Sequence, residues 1–337
     1  MTRSSGRRRN TAAIFTAAIL SALLGTLAGP AAAAAIDWHD GLDEALQAAE
    51  ESGKPVFAFI YLGEQTPGAS GQREEISVRR EGDPVASQQL DLERMLKQTL
   101  SDADVVAAAR NFEALKLDLC DPRTDAARIA LKVGPGVDAG TETRVGMYPI
   151  TVFLDPSGEE IFRRHGCMPA LGYAAQLEQA HELFEKRGAV LADPRDAIKH
   201  RELGRAYMEM DPTPDDQIYQ AAVEHLQEAV RLDPGNETGA NFDARVDLAI
   251  LSIPQSPEQT RRSITDLFRL QTEDADGHRK LEIQYYMAVA HFVLEDYASA
   301  KQLLREFETE DRNSPYWDSP WTPQALGLLQ YIKQTTR

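Results

Sequence analysis

The hydrophobic spacing of the chain changes once, near Asp193, and this constrains the possible folds more than anything else in the sequence. Ahead of it, unbroken or alternating apolar runs suited to strands stand between segments whose apolar residues lie three and four apart. Beyond it only the helical spacing remains. The first part therefore calls for a sheet covered by helices, and the second for helices packed on one another. With 337 residues, the chain is long enough for each part to bury a core of its own. The expected division is into residues 1–35, 36–188 and 189–337.

Residues 1–35 read as an export signal. Arg3, Arg7, Arg8 and Arg9 make a basic start, Thr11 to Leu27 is apolar, Gly29-Pro30 breaks the helix, and Ala33-Ala34-Ala35 offers small residues for cleavage. A retained membrane anchor is the alternative, since no charge occurs between Asn10 and Ile36. Cleavage would place the mature protein outside the cytoplasm, periplasmic or secreted, beginning near Ile36. It would also take the formal charge from −17 to −21 by removing those four arginines. Such a field repels phosphate backbones and anionic headgroups, which argues against nucleic acid as a partner and, after cleavage, against the membrane. Acidity of this kind also serves solubility alone.

Within residues 36–188, Leu42, Ala45, Leu46 and Ala49 mark an amphipathic helix that Gly53 ends. The run Lys54 to Gly68, KPVFAFIYLGEQTPG, reads as a buried strand opening into a polar loop. Glu64 to Gln89 has no periodicity that would bury a face, so a surface excursion is expected. Leu90 to Leu100 resumes helical spacing, and Ser101-Asp102 caps a further helix to Phe112. Glu113 to Leu119 alternates like a strand, and Thr124 to Val133 is a short helix. The Gly-rich stretch after it is no phosphate cradle, because no Gly-Lys-Ser/Thr follows. A hairpin comes next, Ile150 to Leu154 and then a strand to His165 around an Asp-Pro-Ser-Gly turn, with a closing helix from Pro169 to Gly188.

From Trp38 to about Arg187 this order resembles a thioredoxin-like domain, an α/β fold with a mixed central sheet flanked by helices. In that family the first strand ends in a Cys-X-X-Cys redox motif at a helix N-terminus, where the dipole lowers the thiol pKa. Laid on the family's pattern without gaps, the four motif positions fall on Gln65, Thr66, Pro67 and Gly68, so both sulfurs are missing. The resemblance implies a cis proline at Pro149, facing the motif across a peptide groove that Tyr148 and Cys167 would help to line. It also implies a sheet in the order second, first, third, fourth strand.

The second part resembles tetratricopeptide (TPR) repeats, an all-α stack of helical hairpins. Leu203, Gly204 and Tyr207 match the first helix of a repeat, and Ala222, Leu226, Ala229 and Pro234 the second. Ala288, Tyr297, Ala300 and Leu304 match another, with Phe307 where a small residue is expected. Asn241 to Ile253 and Ser256 to Glu273 form a hairpin with almost no consensus residue, and Thr322 to Lys333 supplies the capping helix that such a stack requires.

Two cysteines remain, Cys120 and Cys167. The implied strand order sets them on opposite sides of the sheet, about 14 Å apart and beyond the ~7 Å reach of a disulfide. Cys167 then reads either as a lone reactive thiol whose pKa Arg164 or His165 lowers, or as a small buried hydrophobe. His165 and Cys167 lack any third ligand at a supporting spacing, so no metal site is expected, and no cofactor motif occurs. The resemblances imply a redox-inactive binding protein that takes a protein or peptide in the groove or on the concave face of the repeats. The alternative is an enzyme, a thiol oxidoreductase working through Cys167 alone.

Overall fold

A computed structural model describes residues 35–62, 91–133, 148–210, 217–273, 277, 279–309, 311–317 and 319–336. The expected export signal falls almost wholly outside the described residues, as do Gln65, Thr66, Pro67 and Gly68. No helix among the described residues is long and apolar enough to cross a membrane.

Alternation builds the sheet. In β2 (Val56–Tyr61), Val56, Ala58 and Ile60 point to one face and Phe57 and Phe59 to the other. A short edge strand β1 (Trp38–His39), then β3 (Glu113–Asp118), β4 (Ile150–Leu154) and β5 (Glu160–His165), complete a five-stranded sheet in the order β1-β3-β2-β4-β5. β1, β3 and β2 run parallel, while β4 is antiparallel to both β2 and β5. The four longer strands therefore stand in the order that the sequence reading implies, with β1 an addition to it.

One face carries Ala45 and Ala49 of α1 (Leu42–Ser52), which ends where Gly53 adopts φ 71° and donates its N–H to the Ala49 carbonyl. Below α3 (Asp125–Ala130), Leu131 and Val133 join the same cluster. The other face is aromatic: Phe57, Phe112, Phe153 and Phe162 pack together under α2 (Ala103–Ala109) and α4 (Ala170–Ala192). The spacing predicts an ordinary helix over 90–100, but Met95–Thr99 is a π-helical turn, anchored by Thr99 Oγ1 donating to the Met168 carbonyl at 3.0 Å.

Helices alone follow. α5 (Ala197–Glu209) and α6 (Gln217–Leu232) form one antiparallel hairpin, α7 (Ala240–Leu251) and α8 (Pro257–Glu273) a second, and α9 (Lys280–Val293) and α10 (Tyr297–Leu304) a third, with α11 (Thr322–Thr335) packed on the last. Gly204 makes the first pair possible: a Cβ there would lie 2.7 Å from Leu226 Cγ and 3.1 Å from the Leu226 backbone nitrogen. The aromatic cluster of the sheet continues without a break through Tyr173, Leu177 and Val190 of α4 to Leu203, Tyr207, Ala222 and Leu226. A buried core thus runs from the strands into the first hairpin.

Candidate functional site

Parallel and antiparallel pairing bring the end of β2, the end of β3, the start of β4 and the end of β5 to one edge of the sheet. Two backbone hydrogen bonds hold that edge together, from Leu119 N–H to the Tyr61 carbonyl at 2.9 Å and from Gly166 N–H to the Pro149 carbonyl at 2.7 Å. Gly166 has φ 94°, a left-handed conformation that favours glycine. The Tyr148–Pro149 peptide bond is cis. Tyr148 packs against the apolar face that holds Ile60, Ile150 and Val152. Leu171, in the first turn of α4 just beyond Cys167, is 81% exposed beside this edge.

Both cysteines stand at this edge outside any disulfide, Cys120 half-buried and Cys167 exposed. Between the ends of β3 and β5 lie β2 and β4. Partial desolvation first, and the charge of Asp91 second, push the Cys167 thiol above the usual range. The expectation that Arg164 or His165 lowers its pKa is therefore corrected. Arg164 turns away, stacks over Phe162 and donates to the Met210 carbonyl at the end of α5. Nor is Cys167 the buried apolar filler of the second expectation. At the other side of the edge, burial and then the acidic groups Asp118, Cys120 and Asp121 raise the Tyr61 phenol.

A second constellation escaped the sequence reading. Three arginines and three carboxylates from α5, α7 and the start of α9 converge on Asp247, whose side chain is fully buried. Its carboxylate accepts from Arg201 Nε at 3.1 Å, Arg205 Nη1 at 2.8 Å and Arg279 Nη2 at 2.6 Å. Arg205 also reaches Glu282 at 2.8 Å, and Arg279 reaches Asp243 at 2.9 Å and Glu282 at 2.5 Å. These six charges cancel, and Arg205 Nε also donates outward to the exposed Glu209 at 2.9 Å. Burial alone would lower the Arg205 and Arg279 pKa values, but Asp247 and Glu282 more than reverse it, so both guanidinium groups stay charged. The spacing Arg201/Arg205 and Asp243/Asp247, four residues apart on first helices of neighbouring hairpins, is the signal that could have revealed it.

Aromatic rings continue from this network. Tyr286, its phenol pushed up to about 12 chiefly by burial, lies beside Arg205 and Glu282, and its ring meets Trp321 at 5.5 Å. Tyr285 stacks on the same Trp321 at 5.6 Å. Among the described residues, no group of three or more His, Cys, Asp or Glu is placed to hold a metal ion. No protein-family model, curated protein or solved structure matches the chain.

Proposed function

We propose that the protein is an exported, redox-inactive binding module, with a thioredoxin-like domain followed by TPR-like hairpins and a protein or peptide as its partner. The observation that carries this reading is the state of the two cysteines: neither is in a disulfide, and two strands separate the strand ends at which they stand. Exchange of dithiol for disulfide needs an attacking thiolate and a second thiol to resolve the mixed disulfide. Cys167 has neither a partner in reach nor a depressed pKa. What remains at the edge is exposed surface at Gly166, Cys167 and Leu171, which suits an extended chain, while Pro149 is buried with its carbonyl held by Gly166 N–H. On the hairpins, the rings of Tyr285, Tyr286 and Trp321 offer contact area to a peptide, while the arginines beside them are already neutralised.

The test is insulin reduction with glutathione as electron donor, beside fluorescence anisotropy against a library of labelled extended peptides. We expect no turnover, together with peptide binding that Tyr286→Ala or Leu171→Asp weakens at least tenfold. Turnover that Cys167→Ser abolishes would transfer the protein to the alternative, a thiol oxidoreductase with a single cysteine.

A further inference from the structure

The joint between the sheet-bearing part and the hairpins contains two histidines that no role above uses. His200 on α5 and His225 on α6 face each other with Nδ1 to Nδ1 at 3.0 Å. His200 Nε2 lies 3.3 Å from the Pro194 carbonyl in the turn between α4 and α5. A carbonyl can only accept, so Nε2 carries the proton and the Nδ1 of neutral His200 is bare. His225 must then donate from Nδ1, which fixes opposite tautomers on the two rings.

We infer that His200 and His225 are a proton-sharing pair that holds the α4–α5–α6 joint closed at neutral pH and opens it in acid. A hydrogen bond between two nitrogens needs one of them bare. One added proton can be accommodated on the pair, because a charged imidazole can donate to a neutral one. A second cannot, since it would set N–H against N–H and two like charges at 3.0 Å. The surroundings do not compensate. His225 lies flat against Tyr207 of α5, ring centroids 5.9 Å apart, and Tyr207 Oη accepts from Arg187 Nη1 of α4 at 2.9 Å. The charged groups that act on His225 are Arg187 of α4 and His200 of α5, which oppose its protonation, and Glu228 on its own helix, which favours it. Burial is the largest influence, and together these hold the His225 imidazole down to about 4.

Arg187 also lies 3.9 Å from Glu159 in the β4–β5 turn, so the chain of contacts runs from the sheet through α4 to the pair. Unfolded, both histidines bind protons near pH 6.5, whereas the closed joint holds at most one. The closed state is therefore short by one proton below pH 6.5, and its stability falls as pH falls.

The experiment is amide hydrogen exchange over residues 193–210 and 217–232 between pH 7 and 4.5, on wild type and on His225→Asn, in which the amide nitrogen replaces the Nδ1 donor but does not titrate. Corrected for intrinsic exchange, the opening constant of wild type should rise about tenfold per pH unit below 6.5 relative to the variant. Imidazole nitrogen shifts of the wild type, which need no variant to fold, should show one Nε2–H and one Nδ1–H ring at pH 7. Equal pH dependence in the two proteins, or both rings fully charged at pH 5 with the joint still protected, would overturn the inference.

Discussion

Replacing Asp247 with Asn tests whether the hairpins are held together by charge on their first helices. The substitution keeps the shape of the side chain and removes the one carboxylate that all three arginines share. The six-charge cluster passes from neutral to a net charge of +1, with the exposed Glu209 on Arg205 the remaining outer counter-charge, in a place where the side chain it changes has no exposed surface. Each lost attraction is worth about 4 kcal/mol at ~4 Å between charge centres and an effective dielectric constant of ~20, so three amount to roughly 12 kcal/mol gross. Against this, the amide costs several kcal/mol less to bury than the carboxylate, and its oxygen still accepts hydrogen bonds. A net loss of about 3–5 kcal/mol remains, which is typical of removing one partner from a buried ionic network. For a unit of this size that corresponds to a fall in Tm of about 5–8 °C. Urea denaturation followed by helical circular dichroism measures it directly. Adding Arg279→Gln should cost less than the sum of the two single changes, because it removes one of three positive charges that would otherwise share only Asp243 and Glu282 inside the cluster. A loss below about 1 kcal/mol for Asp247→Asn, or strict additivity in the double variant, would refute the reasoning.

Three further outcomes follow from particular contacts. Gly204→Ala places a methyl against Leu226 Cγ and backbone nitrogen, so it should cost about 1–3 kcal/mol despite alanine's better helix propensity, and an unchanged Tm would contradict the close approach of α5 and α6. Cys120→Ala/Cys167→Ala should stay folded with a loss of about 1–2 kcal/mol, and thiol titration of the non-reduced wild type should count two free thiols. Asp233→Ala removes the acceptor shared by Thr238 Oγ1 and the amides of Glu237, Thr238 and Asn241, and should cost about 1–2 kcal/mol at pH 7. Burial pushes the Asp233 carboxyl up, but those hydrogen bonds pull it further down, so its contribution is present above about pH 3.8 and fades as pH falls through the lowered value. The gap between wild type and variant in acid denaturation should close there.

Strands and hairpin helices were legible because their burial leaves a pattern, an unbroken apolar run in β2, which is buried on both faces, and a periodic apolar face in the helices. Phe57 and Phe59 alternate with Val56, Ala58 and Ile60, and Leu203, Tyr207, Ala222, Leu226 and Ala229 recur at helical intervals, and all of them are buried. β1 was missed because two residues carry no period, and Trp38 is fixed instead by Phe57, whose ring lies 5.5 Å away. The π-helical turn was missed because its stabilising bond, from Thr99 to Met168, joins residues 69 positions apart. The ionic network lay hidden for a similar reason. Charged residues normally mark the solvated face, and only the packing of three hairpins turns Arg201, Arg205, Asp243 and Asp247 inward. At the sheet edge, the grouping of Tyr148, Pro149 and Cys167 came from the resemblance and not from any local pattern, and the reading of Arg164 gave it the wrong neighbour, since the guanidinium reaches across to α5.

The helix α4 is a common wall, with Tyr173 and Leu177 against the sheet near its start and Arg187 and Val190 against α5 near its end. Its 23 residues span about 34 Å, and a rod of that length does not bend on demand. It acts as a ruler between the edge at Pro149 and the hairpins. A single extended peptide following it from end to end would need about ten residues, at roughly 3.4 Å each. On the proposed reading, a shorter ligand would reach only one end, and a ligand that occupied both would need that reach built in.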